Sequence, residues 1–455
     1  MTAAKSFSAA FSVPNLTAVF VKKIQDSGAI GIDRVTPAAF LKNLKSELSL
    51  VQAKAASGSY KFTAYKQKLL SKGADSPPRV LSIPTVRDRV TLRALAEMLA
   101  KVFPEAVSEI PQTKVDRVSS TLKSGAYTEF VKIDLSKFYP SIPHDNLKRV
   151  LRSRIRKPEI LSLIEKAITT PTIPDKKGSK GAKPNTRGVP QGLAISNILA
   201  EILLLGFDKQ MAAMPDIAYE RYVDDILIFC KFGQSTAVLQ KVCNDLQKIG
   251  LEPHPSGTDA SKTRRGSLTE EFDFLGYRCK DLRLGIRKQS VHKFESSLAG
   301  IFTAYRHRLA RAATSLEANR AISVCAWRLN LRITGCIFEN RRLGWVFYFS
   351  QIVDTSQLRA VDNTVQQLLK RFSLTSKINV KRLLKAFYES QRSIKEQHRY
   401  IPNFDSMPTS EKRRILTLLS NRNISTLSDE RVDNLFKKRI GEAVRELEED
   451  LAALS

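Results

Sequence analysis

Two adjacent aspartates between two apolar segments constrain this sequence more than any other feature. Residues 217–221 and 226–230 are rich in β-branched, aromatic and aliphatic side chains, which predicts two strands. Between them, residues 222–225 read Tyr-Val-Asp-Asp and must form a tight hairpin turn. Two carboxylates about 4 Å apart repel by roughly 4 kcal/mol at an effective dielectric of about 20. A divalent cation removes that repulsion, and Mg²⁺ prefers carboxylates together with phosphate oxygens. In isolation, a solvated Asp-Asp turn is the favoured alternative.

The composition indicates a folded and strongly basic protein. A chain of 455 residues with 42% hydrophobic side chains is long enough for two to four subdomains with buried cores. Its net charge of +29 and pI near 10.0 favour a polyanionic partner such as nucleic acid. No apolar run reaches the roughly 18 residues needed to cross a bilayer, so we expect no membrane partner.

The N-terminus and the cysteines favour a cytoplasmic location. Residues 1–13 carry one lysine and no sustained apolar core, unlike a secretion signal. The five cysteines are scattered without a Cys-x-x-Cys pair, and the five histidines are scattered too. This pattern predicts a reducing compartment and argues against a zinc finger or a zinc-bound nuclease.

A third acidic position lies at the end of another predicted strand. Residues 129–135 alternate apolar and polar side chains, with Lys132 and Asp134 on the polar face. Asp134 therefore lies at a strand end, where a strand delivers a side chain into a cleft. An aromatic residue, Tyr139, follows shortly before the chain turns.

A glycine-bracketed turn precedes a helix that is apolar nearly all round. Residues 188–192 read Gly-Val-Pro-Gln-Gly and lead into a segment from about Leu193 to Met211. The apolar character of this segment predicts a buried helix. Gln191 lies just before its N-terminus. A simple strand-to-helix turn is the structural alternative for the glycines.

The remaining segments are predicted from their periodicity. Residues 1–70 read as helices, and a turn-rich basic loop at 72–79 precedes a short strand. Arginines near such a loop suit phosphate recognition, although a solvated charged loop is an equal alternative. From about Gln289 onward we predict helices only. Residues 344–349 are aromatic, and we favour a helical core over a surface that stacks on bases.

The last helix is predicted to begin at Ser428 and to carry one apolar stripe. That stripe packs on its own domain, which we favour, or on another chain as an oligomer contact. It consists of Val432, Leu435, Phe436, Ile440, Val444, Leu447, Leu451 and Leu454.

In combination, these features resemble the palm of a reverse transcriptase. The three catalytic motifs are similar, in this order, to residues 131–139, 187–193 and 222–225 of this chain. The primer-grip hairpin is similar to residues 274–276. Residues 79–90 resemble the finger motif of group II intron and retron-type enzymes. Residues 31–36 resemble the N-terminal segment of the same enzymes. The resemblance covers about residues 28–290.

The resemblance implies an α+β chain with the right-hand polymerase fold of fingers, palm with an antiparallel sheet, and thumb, followed by a C-terminal all-α domain. The expected segments are an N-terminal helical part with fingers (1–128), a palm (129–285) with a fingers insertion (about 145–187), a helical thumb (286–375) and a C-terminal helical domain (376–455).

The resemblance also implies roles for individual residues. Asp134 and Asp224 would hold two Mg²⁺ ions, with Mn²⁺ as an alternative, and Asp225 would complete the acidic cluster. The backbone carbonyl of Leu135 would face the second metal. Lys72 and Arg79 would bind the triphosphate, and Tyr139 would be a steric gate against ribose. Gln191 and Gly192 would lie at the incoming nucleotide. Lys262 would donate a proton to pyrophosphate, from a loop that is longer and more polar than the family's usual pattern.

The function implied is RNA-directed DNA synthesis from deoxynucleotides on an RNA template, with a DNA product. The absence of a zinc-type endonuclease tail or an RNase H pattern, with extra helices after the thumb, is similar to the bacterial "unknown group" reverse transcriptases. Many of these act in antiphage defence, so a dedicated noncoding RNA is the expected template. If the apolar stripe of the last helix packs on another chain, the alternative that we do not favour, a homo-oligomer would form through the C-terminal helices.

Two alternatives remain open from the sequence. The same palm chemistry could run without a template or from a protein hydroxyl as primer. A scaffold that binds RNA without catalysis is an alternative of another class, against which the three aspartates argue. An RNA polymerase is disfavoured because Tyr139 should exclude ribonucleotides.

Overall fold

The computed structural model describes residues 2–71, 77–174, 181–257, 261–392, 400–420 and 424–452, with side chains in the last helix described to residue 448. The helices are α1 (Ala3–Ala10), α2 (Val13–Lys23), α3 (Pro37–Leu41), α4 (Leu44–Ala56), α5 (Val86–Val102), α6 (Pro111–Ser124), α7 (Phe138–Ser141), α8 (His144–Arg152), α9 (Pro158–Thr169), α10 (Ser196–Ala212), α11 (Ser235–Lys248), α12 (Lys288–Ala310), α13 (Ser315–Thr334), α14 (Trp345–Tyr348), α15 (Ser356–Arg371), α16 (Leu383–Ser390), α17 (Thr409–Leu419) and α18 (Asp429–Ala452). The strands are β1 (Tyr65–Leu70), β2 (Arg79–Ile83), β3 (Glu129–Asp134), β4 (Thr172–Ile173), β5 (Ile217–Tyr222), β6 (Asp225–Cys230), β7 (Arg264–Ser267), β8 (Phe272–Phe274), β9 (Tyr277–Lys280), β10 (Arg283–Ile286), β11 (Cys336–Phe338) and β12 (Arg341–Leu343).

The chain divides into two compact units. Unit 1 comprises Met1–Ile110 and Tyr127–Ser267, and unit 2 comprises Pro111–Ala126 and Leu268–Ser455. This division is coarser than the four segments expected from the resemblance, which stay a prediction.

Unit 1 is built around a four-stranded antiparallel sheet in the order β5-β6-β3-β7. The strand β6 lies inside the sheet, and its residues 226–229 are fully buried on both faces. Such a strand is held firmly, so the residue at its start, Asp225, has a fixed position. The α+β architecture agrees with the expected fold class.

A second sheet of unit 1 has the order β2-β1-β4, with β1 antiparallel to β2 and parallel to β4. The expectation of helices throughout residues 1–70 is therefore wrong at β1. Tyr65 is buried and its hydroxyl donates to the Ala167 carbonyl at 2.9 Å, whereas Leu69 and Leu70 stay exposed. β1 pairs over five residues with β2, the next strand in the sequence, and over two residues with the distant β4. Its sequence, Tyr-Lys-Gln-Lys-Leu-Leu, lacks the apolar alternation that predicts a strand.

Unit 2 contains the sheet β10-β9-β8 and helices around an aromatic core. The rings of Phe294 and Trp345 stack with centroids 4.4 Å apart, and Trp345 also contacts Phe349 at 4.7 Å. All of these rings are buried, which confirms the core interpretation of the aromatic segment.

The prediction of helices only after Gln289 is wrong at the hairpin β11–β12. Its turn residues Glu339 and Asn340 both have positive φ, 51° and 56°. The Asp405 carboxylate accepts both of their N–H groups at 2.8 Å and so stabilises the turn from outside the hairpin. This partner is remote in sequence, and the turn itself lacks the Asn-Gly pair that predicts a hairpin from local sequence.

The apolar stripe of α18 is buried within unit 2. Val432, Phe436 and Ile440 pack with residues of α17 and with Phe404. This confirms the favoured alternative, in which the stripe covers its own core, for the part of the stripe up to Leu447. Within the described residues, no helix combines the length and apolar character needed to span a membrane.

Candidate active site

The pairing of β3 with β6 brings the three predicted aspartates to one end of the unit 1 sheet. Asp134 lies directly opposite Asp225 in the antiparallel register. The Asp224 carbonyl accepts a hydrogen bond from the N–H of Leu135 at 3.3 Å, which closes the end of the ladder. The structure therefore unites carboxylates from two separate sequence motifs in one cluster.

Three basic side chains surround this acidic cluster. On Asp134, the carboxylate oxygen Oδ2 lies 3.0 Å from the Lys262 ammonium and 3.3 Å from His254 Nε2. On Asp225, Oδ1 lies 3.7 Å from the ammonium of Lys132. The ammonium groups of Lys262 and Lys132 offset part of the repulsion between the carboxylates.

The central carboxylate, Asp224, has a raised pKa. Burial raises the pKa of Asp224, and the negative charge of Asp134 raises it further. The positive charges of Lys262 and Arg79 oppose this shift. A buried carboxylate beside a like charge gains most from a nearby cation, so its environment favours cation binding.

The donor chemistry of the cluster suits a hard divalent cation. Mg²⁺ in polymerase-type sites is held by one or two carboxylates and completed by substrate phosphates, without a closed protein cage. Among the described residues, no group of three or more His, Cys, Asp or Glu side chains is arranged to hold a metal ion. The carboxylates of Asp134, Asp224 and Asp225 supply the type of oxygen donor that Mg²⁺ prefers.

The Pro-Gln-Gly turn packs directly against the predicted gate residue. The Tyr139 carbonyl accepts the N–H of Val189 at 2.8 Å, and the Ile142 carbonyl accepts that of Gly188 at 2.8 Å. Gly188 has φ 86°, and a Cβ there would lie 2.6 Å from the carbonyl oxygen of Pro140. Only glycine fits such an approach, so this glycine has a specific structural reason.

The half-buried Tyr139 is held by a short hydrogen-bond relay. Its hydroxyl donates to Asn197 Oδ1 at 3.2 Å, and Asn197 Nδ2 donates to the Ser108 hydroxyl at 2.9 Å. Burial raises the pKa of Tyr139 and the charge of Asp224 adds to the shift, so the hydroxyl stays protonated.

The other nucleotide-binding candidates lie beside this turn or outside the described residues. The Gln191 carbonyl accepts the Ser82 N–H at 2.7 Å, which joins the turn to β2. Gly192 has φ 96°, and Arg79 begins β2. Lys72 lies outside the described residues.

Several residues at the site were not selected from the sequence. The backbone N–H of His254 donates to the Asp134 carbonyl at 2.9 Å, and its ring contacts the Asp134 carboxylate. Arg221 donates to the Val223 carbonyl at 2.9 Å within the acidic turn. Lys132 and Asn197 contact Asp225 and Tyr139, as described above. Of these, Lys132 lies within the first motif and Arg221 directly precedes the third, whereas His254 and Asn197 lie in none of the motifs.

Comparison with known proteins identifies the domain that contains this site. Residues 70–279 match the family model described as "Reverse transcriptase (RNA-dependent DNA polymerase)". The match covers all three aspartates and both turns. The chain therefore contains a reverse transcriptase domain and is, by that domain, an RNA-directed DNA polymerase with the right-hand polymerase fold.

The individual proteins that this chain resembles share only 14–26% of their residues with it. "Protein YkfC" of Escherichia coli (strain K12) is 23% identical over 307 residues, 57% of this chain and 76% of that protein. The "Uncharacterized 91 kDa protein in cob intron" of Schizosaccharomyces pombe is 26% identical over 157 residues, 33% of this chain but only 19% of that protein. The solved telomerase of Candida albicans, in complex with a fragment of telomeric RNA, is 14% identical with a TM-score of 0.44, over 86% of this chain and 69% of that chain.

Proposed function

We propose that this domain makes complementary DNA on an RNA template by two-metal nucleotidyl transfer. The observation that carries the proposal is the β3–β6 register, which puts Asp134 opposite Asp225 with Asp224 in the adjoining turn. When bound, two Mg²⁺ ions would lower the pKa of the attacking 3′-hydroxyl and stabilise the departing pyrophosphate. Asp134 and Asp224 would hold them, with Asp225 and the backbone carbonyl of Leu135 beside them.

The remaining candidates would bind and orient the incoming deoxynucleotide. Arg79 would contact the triphosphate, since its charge acts on both Asp224 and Tyr139. Tyr139 would exclude a ribose 2′-hydroxyl. Gln191 would contact the incoming nucleotide, with Gly192 keeping the turn close. Lys262 lies 3.0 Å from Asp134 and would donate a proton to pyrophosphate. Lys72 would also contact the triphosphate.

A basic cavity of about 320 Å³ in unit 1 supports a nucleic-acid template. It is lined by Gly192 and by the cationic side chains Lys23, Arg89 and Arg93. Arg89 donates to the Ala29 carbonyl at 3.0 Å, and burial lowers its pKa, so a phosphate oxygen would improve its environment. The net charge of +29 favours the same class of ligand.

The biological setting is proposed on the resemblance to the "unknown group" enzymes. The template would be a dedicated noncoding RNA, and DNA synthesis would serve antiphage defence in the cytoplasm. The five cysteines are free thiols, which suits a reducing compartment.

The test is sequencing of the RNA and DNA that copurify with the protein from cells, beside an Asp224→Asn variant. We expect one RNA with both proteins and complementary DNA only with the unaltered protein. Asp216→Asn is the matched control, because Asp216 is exposed and paired with Lys231 at the far end of β5. DNA without a complementary RNA would show untemplated or protein-primed synthesis instead. DNA of equal amount from the Asp224→Asn protein would refute the proposed chemistry.

The gate is tested separately with purified protein. Tyr139→Ala should incorporate ribonucleotides that the unaltered protein rejects, because the ring that excludes the 2′-hydroxyl is gone. A Tyr139→Ala enzyme that still refuses ribonucleotides would show that this residue is not the gate.

A further inference from the structure

We infer that Arg221 is a positioning residue of the acidic turn, which fixes the strained backbone at Val223 and thereby the placement of Asp224. The inference rests on the proposed function, because it concerns the geometry of the same carboxylates. Arg221 donates only to Asp208, Glu201 and Val223 and would act through the turn.

All five N–H groups of the Arg221 guanidinium are used. Nε and Nη2 donate to the two oxygens of Asp208 at 2.8 and 2.5 Å. Nη1 and Nη2 donate to the two oxygens of Glu201 at 3.2 and 2.6 Å. The second N–H of Nη1 donates to the Val223 carbonyl at 2.9 Å. A planar fork with five donors matches this arrangement, and an ammonium cannot reproduce it.

The carbonyl that Arg221 holds belongs to a residue in an unfavourable conformation. Val223 has φ 56°, in the left-handed region, where a β-branched side chain is a genuine outlier. Such a backbone persists only where the surroundings over-determine it. The Arg221 bond acts on Val223, immediately before Asp224, and so limits how the turn can relax.

The guanidinium is itself anchored to the helix that follows the Pro-Gln-Gly turn. Glu201 and Asp208 are both on α10, two helical turns apart on one face. The Tyr219 hydroxyl donates to Asp208 Oδ1 at 2.7 Å and so fixes that carboxylate. Arg221 thus connects α10 to the catalytic hairpin through hydrogen bonds of defined direction.

Burial separates this network from an ordinary surface ion pair. The Arg221 side chain is 5% exposed and that of Glu201 is 11% exposed. Desolvating these charges offsets much of their attraction, so the network is a weak source of stability but a strong directional constraint. A positioning function accounts for its place beside the acidic turn.

The test compares Arg221→Lys with Arg154→Lys. Arg154 is a matched control, because it also donates to both oxygens of a carboxylate, Glu105, and to a carbonyl, that of Val102, but far more exposed to solvent. We expect Arg221→Lys to lower kcat for DNA synthesis by about 10- to 100-fold with little change in KM for deoxynucleotides. Arg154→Lys should leave both unchanged.

A second readout does not need activity. Mn²⁺ binding to the unliganded protein, measured by electron paramagnetic resonance, should weaken about tenfold in Arg221→Lys, as for other residues that orient metal ligands. Asp224→Asn serves as the reference for a damaged metal site. Circular dichroism and thermal unfolding establish that each variant is folded.

Val223→Gly provides the decisive combination, because glycine adopts positive φ without strain. If Arg221 acts by holding this backbone, Val223→Gly should restore part of both kcat and Mn²⁺ affinity in the Arg221→Lys protein, by about three- to tenfold. In the unaltered protein the same change should bring no gain.

The outcomes are distinguishable. A folded Arg221→Lys protein with unchanged kcat and unchanged Mn²⁺ affinity would overturn the inference, and so would an activity loss that Val223→Gly leaves untouched. If the unaltered protein makes no DNA at all, the proposed function fails, while the Mn²⁺ titration still decides whether Arg221 positions the turn.

Discussion

The two turns that form the candidate site reach left-handed backbone conformations by opposite means. The Pro-Gln-Gly turn uses glycine, with φ 86° at Gly188 and 96° at Gly192. The acidic turn has φ 56° at Val223, a β-branched residue, and the carbonyl there is held by Arg221. The first turn depends on the absence of side chains and the second on a buried network. Substitutions that add a side chain should therefore damage the first turn. Substitutions that remove hydrogen-bond donors should damage the second turn.

Apart from the aspartates themselves, the largest expected effect is at Gly188. Gly188→Ala should lower DNA synthesis about 100-fold, because the added Cβ would lie 2.6 Å from the Pro140 carbonyl oxygen and displace the segment that carries Tyr139. Gly233→Ala is the control, with φ 77° but nothing within 4 Å of the added atom. Primer extension at saturating deoxynucleotide measures both. Equal losses in the two variants would mean that backbone strain, and not the contact with Pro140, is responsible.

A smaller effect is expected at Gly192. There the added Cβ would lie 3.2 Å from the Ser82 carbonyl oxygen, a contact that a small shift of β2 relieves. Gly192→Ala should raise KM for deoxynucleotides about tenfold and change kcat less. Gly206→Ala on α10, with no atom within 4 Å, should be neutral. A pure kcat loss in Gly192→Ala would place this glycine away from the nucleotide.

The relay behind Tyr139 should have a modest effect on sugar selection. Asn197→Ala removes the acceptor of the Tyr139 hydroxyl, so the ring is held less firmly and ribonucleotide incorporation should rise about threefold. Tyr139→Phe removes the same hydrogen bond from the other side and should match it. Both should fall well short of Tyr139→Ala in a competition between ribo- and deoxynucleotides. If Asn197→Ala equals Tyr139→Ala, the side-chain amide itself contacts the sugar.

The smallest effect concerns stability. Burial and the charge of Asp134 raise the pKa of Asp224, so the ionised carboxylate destabilises the metal-free fold above that pKa. Asp224→Asn should therefore raise the free energy of unfolding by about 1 kcal/mol at pH 7.5 in EDTA. The gain should disappear as pH falls through the raised pKa, because the unaltered Asp224 then becomes neutral. Thermal unfolding at several pH values measures this, and a gain that grows at low pH would contradict it.

Sequence predicted the first turn better than the second for a physical reason. Glycines at 188 and 192 are visible in the sequence, and glycine permits their positive φ without help from a remote residue. The conformation of Val223 is stabilised through Glu201 and Asp208, which are remote in sequence and ordinary helix residues by pattern. Motif spacing predicted that the aspartates act together, but not which side chains hold them.

The same distinction explains the errors in the fold. The central strands β3, β5 and β6 were predicted because their alternation and turn residues are local signals. The strand β1 was missed because its sequence lacks apolar alternation, and the hairpin β11–β12 was missed because its turn requires the remote Asp405. Where tertiary partners decide a structure, periodicity in one segment does not predict it.

The most direct test of the central claim is extension of a DNA primer on an RNA template with Mg²⁺ and deoxynucleotides. The proteins to compare are Asp134→Asn, Asp224→Asn, Asp225→Asn, the exposed control Asp216→Asn and the unaltered chain. We expect the unaltered chain and Asp216→Asn to make complementary DNA. In the three site variants the rate of DNA synthesis should fall at least about 1,000-fold. Full activity in any of these three, or product from the unaltered chain that ignores the template sequence, would contradict it.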